Sequence, residues 1–348
     1  MREACDLTTE TSTGTSSARP RREHLADIDR AKGLGIFLVV LGHLVTGRPP
    51  EGADWYMTLR AAIYAFHMPF FIYLSGYMFY YTASDQIPSS GRPSFFLKRA
   101  ERLLIPFFAF GVFIVIGKHV AANFIHVDNY SNSIFADIVN LFWDTRASAA
   151  KSVWYIFVLF EYTVVLVIVH AIVSNRVLLL LISIPLSVLP VLPILYADRF
   201  FLYLPFFLFA GLAVQRRERW TAFVDRYLWI NLIIFAAAII VTRVIANYNL
   251  SILLCGFLSI PVLHGFCRRK ISEVGGVLAI LGGFSFVIYL LNTVAIGLAK
   301  GVLLFFVPWD GSGFFLLFPL LLAAGILGPV VAKALIFRRV PYLDRLTT

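Results

Sequence analysis

Val177-Leu-Leu-Leu-Leu-Ile-Ser-Ile-Pro-Leu-Ser-Val-Leu-Pro-Val-Leu-Pro-Ile-Leu195 runs for 19 residues without a charged side chain. A helix rises about 1.5 Å per residue, so about 20 such residues cross a hydrocarbon core of roughly 30 Å. The whole chain shares this character. Of its 348 residues 59% are hydrophobic, 33 are Phe and only 14% are charged, whereas about a quarter of an ordinary soluble domain is charged. A backbone in lipid must satisfy its hydrogen bonds within each segment or in a closed barrel. The runs are continuous and lack the apolar-polar alternation of a barrel strand, which argues against a transmembrane β-barrel.

The expected fold class is therefore all-α, a polytopic membrane helix bundle of about ten transmembrane helices. The expected spans are 28–46, 57–82, 103–122, 153–173, 177–195, 200–214, 227–247, 250–267, 277–300 and 314–336. Only Tyr196 to Arg199 separate the fifth from the short sixth, which predicts a tight hairpin with a tilted or broken helix. The formal charge of +10 could suggest nucleic acid, but the basic residues sit in short clusters between apolar runs. It reads as topology, with no nucleic-acid partner. Of the 30 Lys and Arg, 21 fall before or in the opening turns of spans 1, 3, 5, 7 and 9 or after span 10, which places both termini in the cytoplasm. Residues 1–26 carry Glu3, Asp6 and Glu10 and a Ser/Thr-rich stretch with no apolar signal segment, and read as a disordered cytoplasmic tail. Residues 27–337 form the transmembrane domain, and 338–348 a cytoplasmic tail. The longest stretch on the other face, 123–152, carries an expected interfacial helix at Phe135 to Phe142. Cys5, Cys255 and Cys267 have no CxxC spacing, so neither a disulfide framework nor a metal site is expected.

No soluble segment is long enough to hold a separate active site, so chemistry must come from polar residues within the helices, where each charge is costly. The first span reads Asp29-Arg-Ala-Lys32-Gly33, continuing to Gly42-His43. Lys32 and His43 are eleven residues apart, on one helix face and about 16 Å from each other along the axis. Lys32 marks the cytoplasmic end. His43 lies deep, where a side chain titrating near neutrality can take a proton from a hydroxyl and return it. The alternatives stay open: His43 as glue to a neighbouring helix, Ser75-Gly76 as close packing of small residues, and Arg99 and Arg102 as positive-inside anchors.

Four motifs carry a family resemblance. Asp29-x-x-Lys32-Gly33 followed by Lys32-x10-His43 resembles the first helix of the acyltransferase-3 family of integral membrane acyltransferases, whose signature is Arg or Lys, ten residues, then His. Phe66-His-Met-Pro69 through Ser75-Gly76-Tyr77 is similar to its second-helix motif. Phe96-Leu-Lys98-Arg99-Ala-Glu-Arg102 through Pro106 looks like its basic Arg-x-x-Arg stretch. Leu281-Gly-Gly-Phe-Ser285 through Tyr289-Leu-Leu-Asn292 resembles its Gly-x-x-Ser-x-x-x-Tyr-Leu-Leu-His helix. Asn292 stands where many members have His, so an amide hydrogen bond is expected there in place of proton transfer. Trp154-Tyr155-Ile156 looks like the opening of the family's fourth helix, but Leu159 replaces the Glu of one large branch. Glu161 is kept as a buried-carboxylate candidate on physical grounds alone.

The resemblance implies transfer of an acyl group, usually acetyl and possibly succinyl, from cytoplasmic acyl-CoA to a sugar hydroxyl. The acceptor would be an exopolysaccharide, a lipid-linked oligosaccharide or another envelope glycan, and the location a bacterial inner membrane. Acetyl-CoA would be a co-substrate, with no bound cofactor. In that reading His43 is the general base, and Asp29 is placed with it in the catalytic set as the residue that orients the Lys32 end. Lys32, Arg99 and Arg102 hold the CoA phosphates, with Ser75, Glu161 and Asn292 in support. A cavity is expected among the first three helices and the ninth, opening outside near Trp55, Tyr56 and Trp154, unless these three only form an interfacial belt. The runner-up is a multispan glycan or lipid transporter.

Overall fold

The computed structural model describes residues 23–45, 47–124, 127, 130–269 and 272–347; the expected tail up to residue 22 lies outside them. Among the described residues there are helices and no strand, only a lone bridge between Glu51 and Asp310. The helices are α1 Ala26–His43, α2 Asp54–Tyr64, α3 His67–Tyr81, α4 Arg92–Ala121, α5 Ile134–Val139, α6 Trp154–Ile172, α7 Arg176–Leu186 and α8 Ala197–Gln215. They continue as α9 Arg217–Arg226, α10 Leu228–Val241, α11 Tyr248–Arg268, α12 Ser272–Gly283, α13 Ser285–Leu303, α14 Gly311–Leu335 and α15 Pro341–Leu346. By length and composition seven described segments can cross a membrane, or eight if α9 and α10, bent by 76°, count as one.

Three differences from the expected spans have local causes. The run from Val177 to Leu195 does not form one helix. Instead α7 ends at Leu186, and the chain then meets Pro190 and Pro193, which cannot donate to a helix ladder. It turns at Leu195 and Tyr196, both at positive φ of 51° and 57°. The span 277–300 is two helices broken at Phe284, after Gly282-Gly283. The first expected span, α1, is not one of those seven or eight segments, because its 18 residues carry Asp27, Asp29, Arg30 and Lys32 in the opening turns; α1 is accommodated instead by packing among α3, α11, α12, α13 and α14.

Backbone approach holds the centre together, as expected where lipid removes the hydrophobic drive between helices. A Cβ on Gly33 would lie 1.8 Å from the Leu278 carbonyl oxygen, and one on Gly282 2.0 Å from that of Asp29. Only hydrogen fits at these crossings of α1 and α12. Likewise a Cβ on Gly76 would meet the Phe207 carbonyl at 2.6 Å, where α3 packs on α8.

Within the segment expected as an interfacial helix at Phe135 to Phe142, Ile134–Val139 forms α5, capped by the Ser133 hydroxyl. Its Asp137 is buried and lies 2.8 Å from His119 Nε2 on α4, so Phe135 is turned outward, 76% exposed. After α14 the chain folds back. Lys333 Nζ donates to Thr347 Oγ1 at 2.7 Å, and the expected C-terminal tail contains the short helix α15. Gly325 of α14 packs on Val40, and Trp309, just before α14, donates to the Arg48 carbonyl beyond α1. These two helices therefore run antiparallel, and both described chain ends lie at the Lys32 end of the bundle.

Candidate active site

At the opposite end, His43 closes α1. The last carbonyls of a helix have no partner within it. Here Tyr56 donates its hydroxyl to the Leu41 carbonyl at 2.9 Å and Arg60 donates Nε–H to Gly42 at 3.1 Å. The positive guanidinium also suits the negative end of the helix dipole. The terminus that carries His43 is thus held by two side chains of α2.

His43 Nδ1 lies 2.8 Å from Asn292 Oδ1. The Asn292 amide nitrogen donates to the carbonyls of Ile288 and Tyr289, both at 2.8 Å. Carbonyls only accept, so the amide cannot be flipped, and its oxygen must face the histidine. His43 therefore donates from Nδ1 and keeps its lone pair on Nε2. Asn292 is fully buried, and His43 is half-buried against a cavity of about 110 Å³.

That cavity is lined by Val39, His43, Tyr64, His67, Met68, Ser152, Trp154, Arg199, Tyr203, Tyr248 and Tyr289. Trp154 stacks on Tyr203 with ring centroids 5.2 Å apart, and the Arg199 guanidinium stands 5.4 Å from the Trp154 ring. A hydrogen-bonded wall continues inward from Asn292. Tyr289 donates its hydroxyl to the Ser152 carbonyl and accepts from the Tyr155 N–H at 3.1 Å. Tyr155 in turn is hydrogen-bonded to Ser75, whose hydroxyl also reaches the Phe71 carbonyl. Ser75 is thus joined to the wall of the site, while Gly76 serves the close packing on α8.

Other expected site residues lie elsewhere. Asp29 pairs with Lys32 at 3.1 Å and with His24 at 2.7 Å. It is fourteen residues from His43 in the same helix, about 21 Å along the axis. The structure therefore does not bring Asp29 to the reacting end. Arg99 stands over Phe95 at 5.1 Å and Arg102 is exposed, both on α4, whose main neighbours are α5, α6 and α15 and not α1. Glu161 lines a separate cleft of about 340 Å³ with Phe160, Val164, Val165, Ala197, Phe200 and Phe201. Of the three aromatics expected at the outer opening only Trp154 reaches the cavity. Trp55 stacks on Phe315 at 5.4 Å, and Tyr56 is buried.

Several lining residues belong to no site signal in the sequence. His67 and Arg199 are the clearest, polar side chains beside apolar runs, and each could have been found by treating every such residue as a candidate. In the sequence His67 is masked by the Phe66 to Pro69 motif that contains it, and Arg199 by the hairpin expected at Tyr196 to Arg199.

Residues 25–334 match the model of the acyltransferase domain family known as acyltransferase-3. The nodulation protein NolL of Mesorhizobium japonicum is 38% identical over 80 residues, 22% of this chain and 20% of that protein. The matched stretch thus spans about a fifth of the relative's length. No solved structure matches. The family match covers nearly the whole helical bundle, His43 and Asn292 included, and on that ground the chain belongs to the acyltransferase-3 family of membrane acyltransferases.

Proposed function

We propose that this protein moves an acyl group, most simply acetyl, from cytoplasmic acyl-CoA to a sugar hydroxyl of an exopolysaccharide or other envelope glycan. It would act in a bacterial inner membrane with both termini in the cytoplasm. The observation that carries this reading is the tautomer of His43, which keeps an acceptor lone pair on Nε2 in a side chain that lines a cavity with aromatic rings and an arginine.

In the proposed reaction Nε2 takes the proton of the acceptor hydroxyl as its oxygen forms a bond to the thioester carbonyl carbon. The tetrahedral intermediate collapses with cleavage of the carbon–sulfur bond. The CoA thiolate leaves with the proton returned by His43. Asn292 Oδ1 holds the Nδ1–H throughout and so keeps the ring in the orientation the transfer needs. Arg199 supplies a fixed positive charge beside the cavity, of the kind that stabilises a developing oxyanion. Trp154 and the tyrosines offer ring faces and hydroxyls to a sugar.

CoA is a polyanion, and the Lys32 end of the bundle is where its phosphates would be held, with Lys32 at the foot of α1 and Arg99 and Arg102 on α4. From there the pantetheine arm would extend about 16 Å along α1 to His43. Comparing envelope glycans by mass spectrometry from cells with and without the gene tests the reading. Loss of an ester with the gene, and acetyl transfer from acetyl-CoA by the purified protein, are expected. A glycan or lipid transporter would leave acetyl-CoA intact.

A further inference from the structure

His67 is the second histidine of the cavity, and the reaction above leaves it unused. It opens α3, just past the break at Ala65 and Phe66 that ends α2, and it is buried. Its Nδ1 lies 2.8 Å from the Ile63 carbonyl. A carbonyl can only accept, so Nδ1 carries the proton and the lone pair of the neutral ring is on Nε2.

The two histidines therefore share one polarity. Each has its Nδ1–H spent on a protein oxygen, and each lines the same cavity with an Nε2 acceptor to offer. The Tyr64 ring touches both imidazoles, with centroids 6.5 Å from His43 and 5.0 Å from His67. Arg199, a donor only, lines the same cavity. Beside the rotatable hydroxyls of Tyr64, Tyr203 and Tyr248, which can donate or accept, a ligand seated at the two imidazoles meets two fixed acceptors and one fixed donor. Leaving a buried acceptor unpaired costs about 1–3 kcal/mol, so a fitting ligand brings two hydrogen-bond donors and at least one acceptor. A carboxylate would set acceptors against acceptors, and a lone alcohol would satisfy one imidazole and strand the other.

We infer that His67 accepts a hydrogen bond from a second hydroxyl of the acceptor, so that the site takes a sugar presenting two hydroxyls on one ring and acylates only the one held at His43. The inference rests on the acyltransferase reading and adds a specificity-determining residue to it. No bond forms to His67. Its part is to fix which way round the ring sits, which decides where the ester appears. A cavity of about 110 Å³ suits the edge of one sugar ring, with the rest of the glycan outside.

The test uses the producing cell's own glycan as acceptor and reads the ester position by NMR. Cells carrying the wild-type gene, His67→Leu, His67→Gln, His43→Ala or no gene are compared at matched membrane protein level. The wild type is expected to give one ester position, on a ring that keeps a second free hydroxyl. His67→Leu should lower ester content about tenfold, the effect of one lost buried hydrogen bond, and scatter the remainder over more than one hydroxyl. His67→Gln, whose amide oxygen accepts, should keep the single position. A wild-type ester on a ring without a second hydroxyl overturns the inference, and needs no variant to be folded. So does His67→Leu with a single unchanged position, whether at full or reduced yield, since lost packing alone lowers yield without moving the ester. Failure of the acyltransferase reading looks different: the esters would survive removal of the gene.

Discussion

His43 Nδ1 and Asn292 Oδ1, 249 residues apart in the chain, lie 2.8 Å from each other, and the amide is pinned in place by two carbonyls of its own helix. An amide oxygen orients the imidazole without adding the full negative charge of a carboxylate partner. Asn292→Leu is expected to lower kcat about tenfold or more, the worth of one well-formed hydrogen bond. The Michaelis constant for acyl-CoA should stay unchanged, because the donor's phosphates bind at the far end of α1. Steady-state rates of radiolabelled acetyl transfer in membranes check it. Wild-type turnover in Asn292→Leu would show that the contact does not serve the base.

Replacing the base itself should be more severe. General bases contribute about 10² to 10⁴ in rate, so His43→Ala should fall by at least that lower figure while inserting normally, since alanine adds no insertion penalty. Retention of more than about a tenth of wild-type activity at matched protein level would remove His43 from the mechanism.

Much of this arrangement could be read from the sequence, and the parts that could not share a physical cause. The Lys32 to His43 spacing places both on α1 because a helix has a fixed rise, and continuous apolar runs mark most spans. Breaks were harder. Apolarity over Val177 to Leu195 hides the end of α7, although Pro190 and Pro193 were visible, and the break at Phe284 has no proline beside it at all. Distances between helices are not written in periodicity, so the sequence does not reveal that Glu161 lies in a separate cleft, whereas the Asp29–Lys32 pair, three residues apart on one helix, is legible. His67 joins that site only because α2 and α3 break at Ala65 and Phe66.

The crossing of α1 and α12 depends on Gly33 and Gly282 through backbone contacts, which cannot swing aside as a side chain would. Gly282→Ala places a methyl group 2.0 Å from the Asp29 carbonyl oxygen and must push the helices apart. Overpacking of this kind costs about 1–3 kcal/mol or more. Lower thermal stability of the detergent-solubilised protein, followed by size-exclusion chromatography after heating, is expected. Gly276→Ala, with nothing within 4 Å of the new methyl group, should match the wild type. Equal melting of the two variants would mean that the crossing is looser than described.

At the donor end, Lys32→Gln should raise the apparent Michaelis constant for acyl-CoA and weaken its dependence on salt, because one charge-assisted phosphate contact is lost. Arg99→Gln and Arg102→Gln should act in the same direction, although α4 does not pack closely on α1. If Lys32→Gln alone has the effect, the two arginines are anchors of the span. If none of the three changes acyl-CoA dependence, the donor enters elsewhere.

The last expectation concerns sidedness. Lys32 and His43 stand about 16 Å apart on α1, more than half of a hydrocarbon core of roughly 30 Å. The His43 cavity includes Tyr248, which is 56% exposed at the start of α11, so the cavity should communicate with the face opposite Lys32. Donor and acceptor would then meet from opposite sides of the membrane. Single Lys32→Cys and His43→Cys variants, labelled with a membrane-impermeant thiol reagent from each side, would report this. The native Cys255 and Cys267 are buried, and a Cys5→Ser background removes the remaining thiol. The position 43 thiol should react with reagent added outside, and a non-hydrolysable acyl-CoA analogue supplied inside should block that reaction by filling the cavity from below. Access to both positions only from the cytoplasm would mean that the acceptor, too, is acylated from within.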